Sequence, residues 1–244
     1  MKKLFSFQLI FFVFISLNLI HPQTVNEIIN KHFQAVNQDQ FSNLKTIVIT
    51  SELILPGGKA QAKTYFKNPD KIRTEVTEDG KTSVTAFDGK IAWRVSPGEN
   101  GGIPYVLGKE SSDEDELMSI LDGYFFCYKQ RSDNVTLEGT EKLMGKNSYK
   151  IKCKTTPGDS TYIYMDIKTY LISKIEKSVK NGTNETYLSE YKKISNKMIF
   201  PFMFNIMTPF SRTFEIIKNI RVNVNVNNSL FTMPEQKKET KAIK

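Results

Sequence analysis

Apolar and polar residues alternate along this chain with two different periods, and the change from one to the other falls near Leu44. Ahead of it, Val25, Ile28, Ile29, Phe33 and Val36 recur at helical spacing and form one apolar stripe. Thr24 stands where a helix needs a cap, and Glu27, three residues on, completes a capping box. Asn37-Gln38-Asp39-Gln40 is expected to end that helix. Beyond it, Ile47, Ile49, Leu53 and Leu55 alternate with polar positions until Pro56-Gly57-Gly58 turns the chain. A period of two marks a strand with one buried face. Further strands are predicted at Lys59 to Lys67, Ile72 to Val76, through Val84 and Phe87, and at Ile91 to Val95. Asp79-Gly80 and Asp88-Gly89 fall between such runs, and Asp-Gly is a strong hairpin signal because the tight turns that match strand twist need positive φ.

The meander pauses in a loop at Pro97 to Gly102. A second helix is predicted next. Ser112 can cap it, Asp113, Glu114 and Asp115 suit its positive end, and Leu117, Ile120, Leu121 and Tyr124 give the stripe. Strands then resume at Val135 to Leu143, Tyr149 to Lys154, Thr161 to Met165, Tyr170 to Lys177, Thr186 to Tyr191, Ile199 to Ile206, and Thr213 to Val226. Roughly eleven or twelve strands and two helices, with turn signals between them and no internal linker, describe one mainly β domain of the α+β class. Two short helices cannot seal the inner face of so large an antiparallel sheet. It must close into a barrel or leave an apolar concavity.

The run Met198-Ile199-Phe200-Pro201-Phe202-Met203-Phe204-Asn205-Ile206-Met207 concentrates aromatics and flexible methionines. Such a run suits adaptable apolar binding, and it also suits plain core packing. Trp93 has the same two readings.

The N-terminus adds a compartment. Lys2 and Lys3 precede an uncharged apolar stretch from Leu4 to Ile20, the shape of a secretory signal. His21-Pro22-Gln23 before Thr24 is not a small-x-small cleavage pattern, so residues 1–23 are read as a signal that is either cleaved or kept as an anchor. The net charge of +8 is spread along the chain and interleaved with acids, which argues for a solvated surface and against nucleic acid. Residues 236–244 form a basic terminal tail. An oxidising compartment would permit a Cys127–Cys153 bridge, while the position of Cys153 beside Ile151 in a strand fits a buried thiol equally well.

Covalent chemistry lacks its parts. His21 and His32 are the two histidines, and no G-x-S-x-G, H-E-x-x-H, phosphate loop or dinucleotide fingerprint is present. Asp113 to Glu116 are adjacent on a helix, project around it, and are explained by its N-terminal charge. No catalytic residue, cofactor or metal ligand is assigned, and the chain is read as a non-enzyme.

The order of these segments resembles the LolA/LolB-like superfamily of outer-membrane lipoprotein-sorting proteins. The matching pieces begin with the first helix and then a strand into Ala62-Lys63-Thr64-Tyr65-Phe66-Lys67-Asn68-Pro69-Asp70-Lys71-Ile72-Arg73. The hairpin Phe87-Asp88-Gly89-Lys90-Ile91-Ala92-Trp93 follows, then Tyr162-Ile163-Tyr164-Met165-Asp166-Ile167-Lys168-Thr169-Tyr170-Leu171-Ile172. Ile199-Phe200-Pro201 and Asn228-Ser229-Leu230-Phe231-Thr232-Met233-Pro234 match its last landmarks. The resemblance spans most of residues 24–235. It implies one curved antiparallel sheet, an incomplete half β-barrel, with helices across the concave face. It also implies a periplasmic monomer that carries lipoprotein acyl chains or free lipid between envelope membranes through transient membrane or envelope-protein contact. The same fold serves as a scaffold for envelope sensors and interaction modules. Carriers place an arginine just before the proline of the second-strand turn, where this chain has Asn68. On this reading Ile47, Ile49, Leu53, Phe66, Trp93, Leu117, Leu121, Phe202 and Phe204 line the ligand groove or its lid.

Overall fold

The computed structural model describes residues 23–108, 135–156, 159–179, 181–195 and 198–235. The N-terminal apolar run, the expected second helix with Leu117 and Leu121, Cys127 and the basic tail lie outside the described residues. Helix α1 (Val25–Val36) begins as its sequence predicts: the Glu27 N–H donates to Thr24 Oγ1 at 3.3 Å, and the Thr24 N–H donates to Glu27 Oε2 at 2.8 Å. Asn37 closes α1 in the left-handed conformation with φ 58, and its N–H reaches the Phe33 and Gln34 carbonyls. The four-residue terminator expected here is this one residue, because a second short helix, α2 (Gln38–Ser42), follows at once.

The strands are β1 (Thr46–Leu55), β2 (Gly58–Lys67), β3 (Lys71–Glu78), β4 (Lys81–Phe87), β5 (Ala92–Val95) and β6 (Tyr105–Val106). After the undescribed segment come β7 (Val135–Leu143), β8 (Lys146–Thr156), β9 (Asp159–Asp166), β10 (Ile172–Val179), β11 (Gly182–Lys193), β12 (Ile199–Met207) and β13 (Arg212–Val222). All join one 13-stranded sheet in the order β6-β5-β4-β3-β2-β1-β13-β12-β11-β10-β9-β8-β7. Every neighbour is the next strand in sequence except at the β1–β13 seam, so the first and last strands meet at the middle of the sheet. The sheet is not closed; β6 and β7 are its edges. Asp79 (φ 48) and Gly80 (φ 73) make the predicted hairpin turn between β3 and β4. Gly89 (φ 96) is required twice over, since a Cβ there would meet the Asp70 carboxylate at 2.7 Å.

Cross-strand pairing assigns the faces. Ile47 pairs with Phe66, Phe66 with Ile72, Ile72 with Phe87 and Phe87 with Ala92, so these five share one side. On that side α1 packs Ile28 and Ile29 against Ile151, Cys153, Ile163, Met165, Ile172 and Ile175 of β8, β9 and β10. Phe41 of α2 and the following Leu44 pack against Ile47, Ile49, Met198 and Ile217. This is the helix side.

The far side has two halves. Val48 pairs with Tyr65, Tyr65 with Arg73, Arg73 with Ala86 and Ala86 with Trp93. Residues 223–235 lie across this half, putting Val226 and Phe231 on Val48 and Tyr65, and Met233 near Trp93. Three side chains fasten the segment through its carbonyls. Lys67 Nζ donates to Val226 at 2.7 Å, Arg73 Nη1 to Leu230 at 2.9 Å and Trp93 Nε1 to Phe231 at 2.7 Å. Across β8–β11 the far side is a ladder of Lys, Tyr and Glu. There Lys174 Nζ lies 2.6 Å from both Glu176 and Glu185.

Candidate functional site

The helix side of the central strands brings together most of the residues expected to bind a ligand. Ile47 and Ile49 are buried beneath Phe41 and Leu44 at the start of β1. Phe66 on β2, and Phe202 and Phe204 on β12, are half-buried and pack against the same cluster. Leu53, further along β1, keeps the parity of Ile47 and Ile49 and is half-buried. The rings form a chain: Phe41 to Phe200 at 6.1 Å and Phe200 to Phe204 at 6.5 Å between centroids. Trp93 is not with them. It stands on the far side, fully buried under the C-terminal segment with its indole N–H satisfied there. Leu117 and Leu121 fall outside the described residues.

One polar group on this face was not foreseen. Simple alternation back from Val222 and Ile220, which face Ile47 and Ile49, would place Ile216 and Phe214 on the helix side. A β-bulge intervenes: Thr50 pairs with Asn219, but Ser51 pairs with Ile217, leaving Lys218 as the extra residue. Beyond the bulge the parity is reversed. Ile217 and Glu215 turn to the helix side, while Ile216 and Phe214 turn away. Glu215 sits directly between Leu53 of β1 and Phe204 of β12. Ser51, itself 1% exposed, donates its hydroxyl to Glu215 Oε1 at 2.7 Å. Burial pushes the Glu215 carboxyl above the usual carboxylate range, against the pull of that hydrogen bond. A charged residue inside the apolar run Phe214-Glu215-Ile216-Ile217 was the available signal.

Helix α1 is tied to the β9–β10 turn by polar contacts. His32 Nδ1 donates to the Tyr170 carbonyl at 2.7 Å, and Lys31 Nζ donates to the Tyr170 hydroxyl at 3.1 Å. Tyr149 stacks on Tyr170 at 6.1 Å and donates its hydroxyl to Gln23 at 2.6 Å. Burial holds His32 down from 6.5 to about 4, so its ring is neutral at ordinary pH.

A separate open cleft of about 410 Å³ at the β6 edge is lined by Glu99, Asn100 and Tyr105. Its groups satisfy one another: Arg94 Nη2 donates to Glu99 Oε1 at 3.1 Å and the Tyr105 hydroxyl to Glu99 Oε2 at 2.9 Å. Among the described residues no three His, Cys, Asp or Glu side chains are grouped to hold a metal ion. No helix among them is long and apolar enough to cross a membrane.

No protein-family model matches the sequence, and no curated protein matches it. Solved structures do match in shape. A DUF1329 family protein from Desulfovibrio piger aligns with a TM-score of 0.58 at 14% identity, over 84% of this chain and 97% of that one. A LolA superfamily protein from Nitrosomonas europaea aligns with a TM-score of 0.57 at 11% identity, over 86% of this chain and 98% of that one. A domain described as that of an outer membrane lipoprotein-sorting protein, from Vibrio parahaemolyticus, gives 0.55 at 12% identity, over 84% and 94%. At these identities the likeness is one of fold: the chain has the fold of the LolA-like superfamily.

Proposed function

We propose that this protein binds acyl chains, of free lipid or of lipid-modified protein, on the helix side of its sheet and carries them in a cell envelope. On this reading the sheet curls into a half barrel, α1 and α2 lie across its concave side, and the basic, apolar N-terminus exports the chain to the periplasm. The protein works without catalysis. The observation that carries the reading is the row of half-buried Leu53, Phe66, Phe202 and Phe204 on one face of an unclosed sheet. The shared fold with a LolA superfamily protein supports it. The energetics agree, since each buried acyl CH₂ contributes about 0.8 kcal/mol, and an apolar face alone therefore supplies affinity. Release needs only a competing apolar site.

Native mass spectrometry of protein purified from its own membranes tests this, together with displacement of an uncharged hydrophobic dye by a long-chain alcohol. Lipid or acylated peptide should travel with the wild-type protein. Phe204→Asp should weaken dye binding about tenfold or more by placing a charge in the row. Protein that carries no lipid, and binds the dye equally well with and without Phe204→Asp, defeats the proposal and leaves the fold as a scaffold for a protein partner.

A further inference from the structure

We infer that Glu215 and Ser51 form a head-group subsite within the apolar face, one that takes a hydrogen-bond-donating polar group of a long-chain ligand, an ammonium above all, and rejects a carboxylate. The inference rests on the acyl-chain reading of the same face and adds to it which amphiphile fits.

Glu215 lies laterally between Leu53 and Phe204, two of the half-buried residues assigned to the acyl chain. Along the strands its helix-side neighbours are Ile217 and Thr213 on β13, Leu55 on β1, and Phe202 and Ile206 on β12. None carries a charge. A carboxyl among such neighbours is expensive to bury unless something compensates it. Ser51 is its one hydrogen-bond partner among the described residues, and it engages only Oε1. Glu215 forms no ion pair with any described lysine or arginine; of the two nearest in sequence, Lys218 turns to the far side toward Glu52 and Arg212 donates its Nε to Asn205 and lies over the Phe214 ring. Oε2 therefore presents an acceptor with no described donor, at a point where an acyl chain lying along Phe204 and Leu53 would have its polar end.

The fold also reaches this arrangement by an irregular route. An unbulged β13 would have offered Phe214 and Ile216 to the ligand; the bulge at Lys218 offers Glu215 instead. A hydrogen-bond donor on the ligand supplies what the protein lacks. An ammonium does so with charge assistance, while a fatty-acid carboxylate would set two anions together in an apolar site. Burial works toward the neutral carboxyl, and an ammonium beside it works toward the ionised form.

The overall charge makes the test discriminating. A net charge of +8 favours anionic ligands over cationic ones, so a preference for the cation must come from a local group. Dodecylamine, dodecanol and dodecanoate, each below its micellar concentration, are titrated at about pH 7 against an uncharged fluorescent dye bound to the full chain. The wild-type protein should bind the amine about tenfold more tightly than the carboxylate. Glu215→Gln should bring that ratio close to one, mainly by weakening the amine. Phe204→Ala should weaken all three ligands and leave their ratios in place. A wild-type protein that binds the three chains equally, or the carboxylate best, overturns the subsite and leaves acyl binding standing; that result needs no variant to fold. A ratio unchanged in folded Glu215→Gln overturns the role of Glu215. A wild-type protein that binds none of the three overturns the acyl-binding reading and the subsite with it.

Discussion

His32 should make this fold acid-sensitive in a window set by one helix. The side chain is 7% exposed, wedged between α1 and the β9–β10 turn, with Nδ1 donating to the Tyr170 carbonyl at 2.7 Å. Burial lowers its affinity for protons from the ordinary 6.5 to about 4, while the bond to Tyr170 pulls weakly the other way. Unfolded chain therefore takes up a proton as pH falls through 6.5, and folded chain resists until about 4. The unfolded state binds more protons throughout that interval, so stability is full above it and is lost as pH falls. The total loss at this one residue is about 3 kcal/mol, complete below the folded value. That is a large share of the roughly 5–15 kcal/mol that holds a domain together.

Carboxylates also titrate at the low end, so the perturbation must isolate the imidazole. His32→Asn keeps a donor near the Nδ1 position and removes the titration. Urea denaturation of both proteins from about pH 8 to pH 4 gives the stability difference at each pH, and contributions common to both cancel. The wild-type advantage should shrink by about 3 kcal/mol over that range. A difference flat to within about 0.5 kcal/mol would refute the reasoning, as would an imidazole that titrates near 6.5 in the folded protein by NMR. Because the protonated ring no longer suits its buried place, α1 should also be the first element to lose amide-exchange protection in mild acid.

Two further outcomes follow from packing. Phe231→Ala empties a fully buried site on the far side and should cost about 3–5 kcal/mol; Trp93, the chain's one tryptophan, should report it by a red-shifted, more quenchable emission. An unshifted emission with unchanged stability would mean that residues 223–235 do not seal that face. Gly89→Ala forces a Cβ to within 2.7 Å of the Asp70 carboxylate at φ 96, and should lower stability by about 1–3 kcal/mol in a thermal melt. A melt identical to wild type would show that the turn relaxes freely.

Much of this architecture was legible in the residues. The capping box placed the start of α1, and positive-φ turn pairs such as Asp79-Gly80 announced hairpins whose strands do pair in sequence order. Faces were less legible, for local reasons. Ala92-Trp93-Arg94-Val95 has no clean alternation, and the tryptophan suits a covered strand on either side. What covers it comes from far along the chain. The strand expected from Thr213 to Val226 ends at Val222, because Asn223 adopts φ 53 and its Oδ1 accepts from the Lys45 N–H at 2.8 Å. That break sends Val226 and Phe231 to the far side, where a straight strand would never have carried them. Strand β6 is two residues long, too short for any period to reveal. The bulge at Lys218 left no mark in the hydrophobic pattern either, since Ile216 and Ile217 are both apolar and either could have faced inward.

The β1–β13 seam explains why the two sides of one sheet are covered by different segments of the chain. Because the first and last strands pair at the sheet centre, the described segments that precede β1 and follow β13 are both on hand to cover it. The N-terminal segment turns to the helix side as α1 and α2, and the C-terminal segment turns to the far side and is fastened by Lys67, Arg73 and Trp93. The β1–β5 half of the far side is thus closed by hydrogen bonds and buried aromatics, which resist partial opening because each lost bond leaves a buried polar group unpaired. The helix side is held differently: by apolar contact beneath α1 and α2, and by the ties of Lys31 and His32 on α1 to Tyr170. The bulge sits at this same seam. It shifts parity only beyond Ser51, so the part of β13 under α2 keeps its aliphatic contacts while the part beside Leu53 exchanges them for Glu215. Polarity enters the face where the helices' apolar clusters give out, and on the proposed reading an amphiphile would change there from chain to head group.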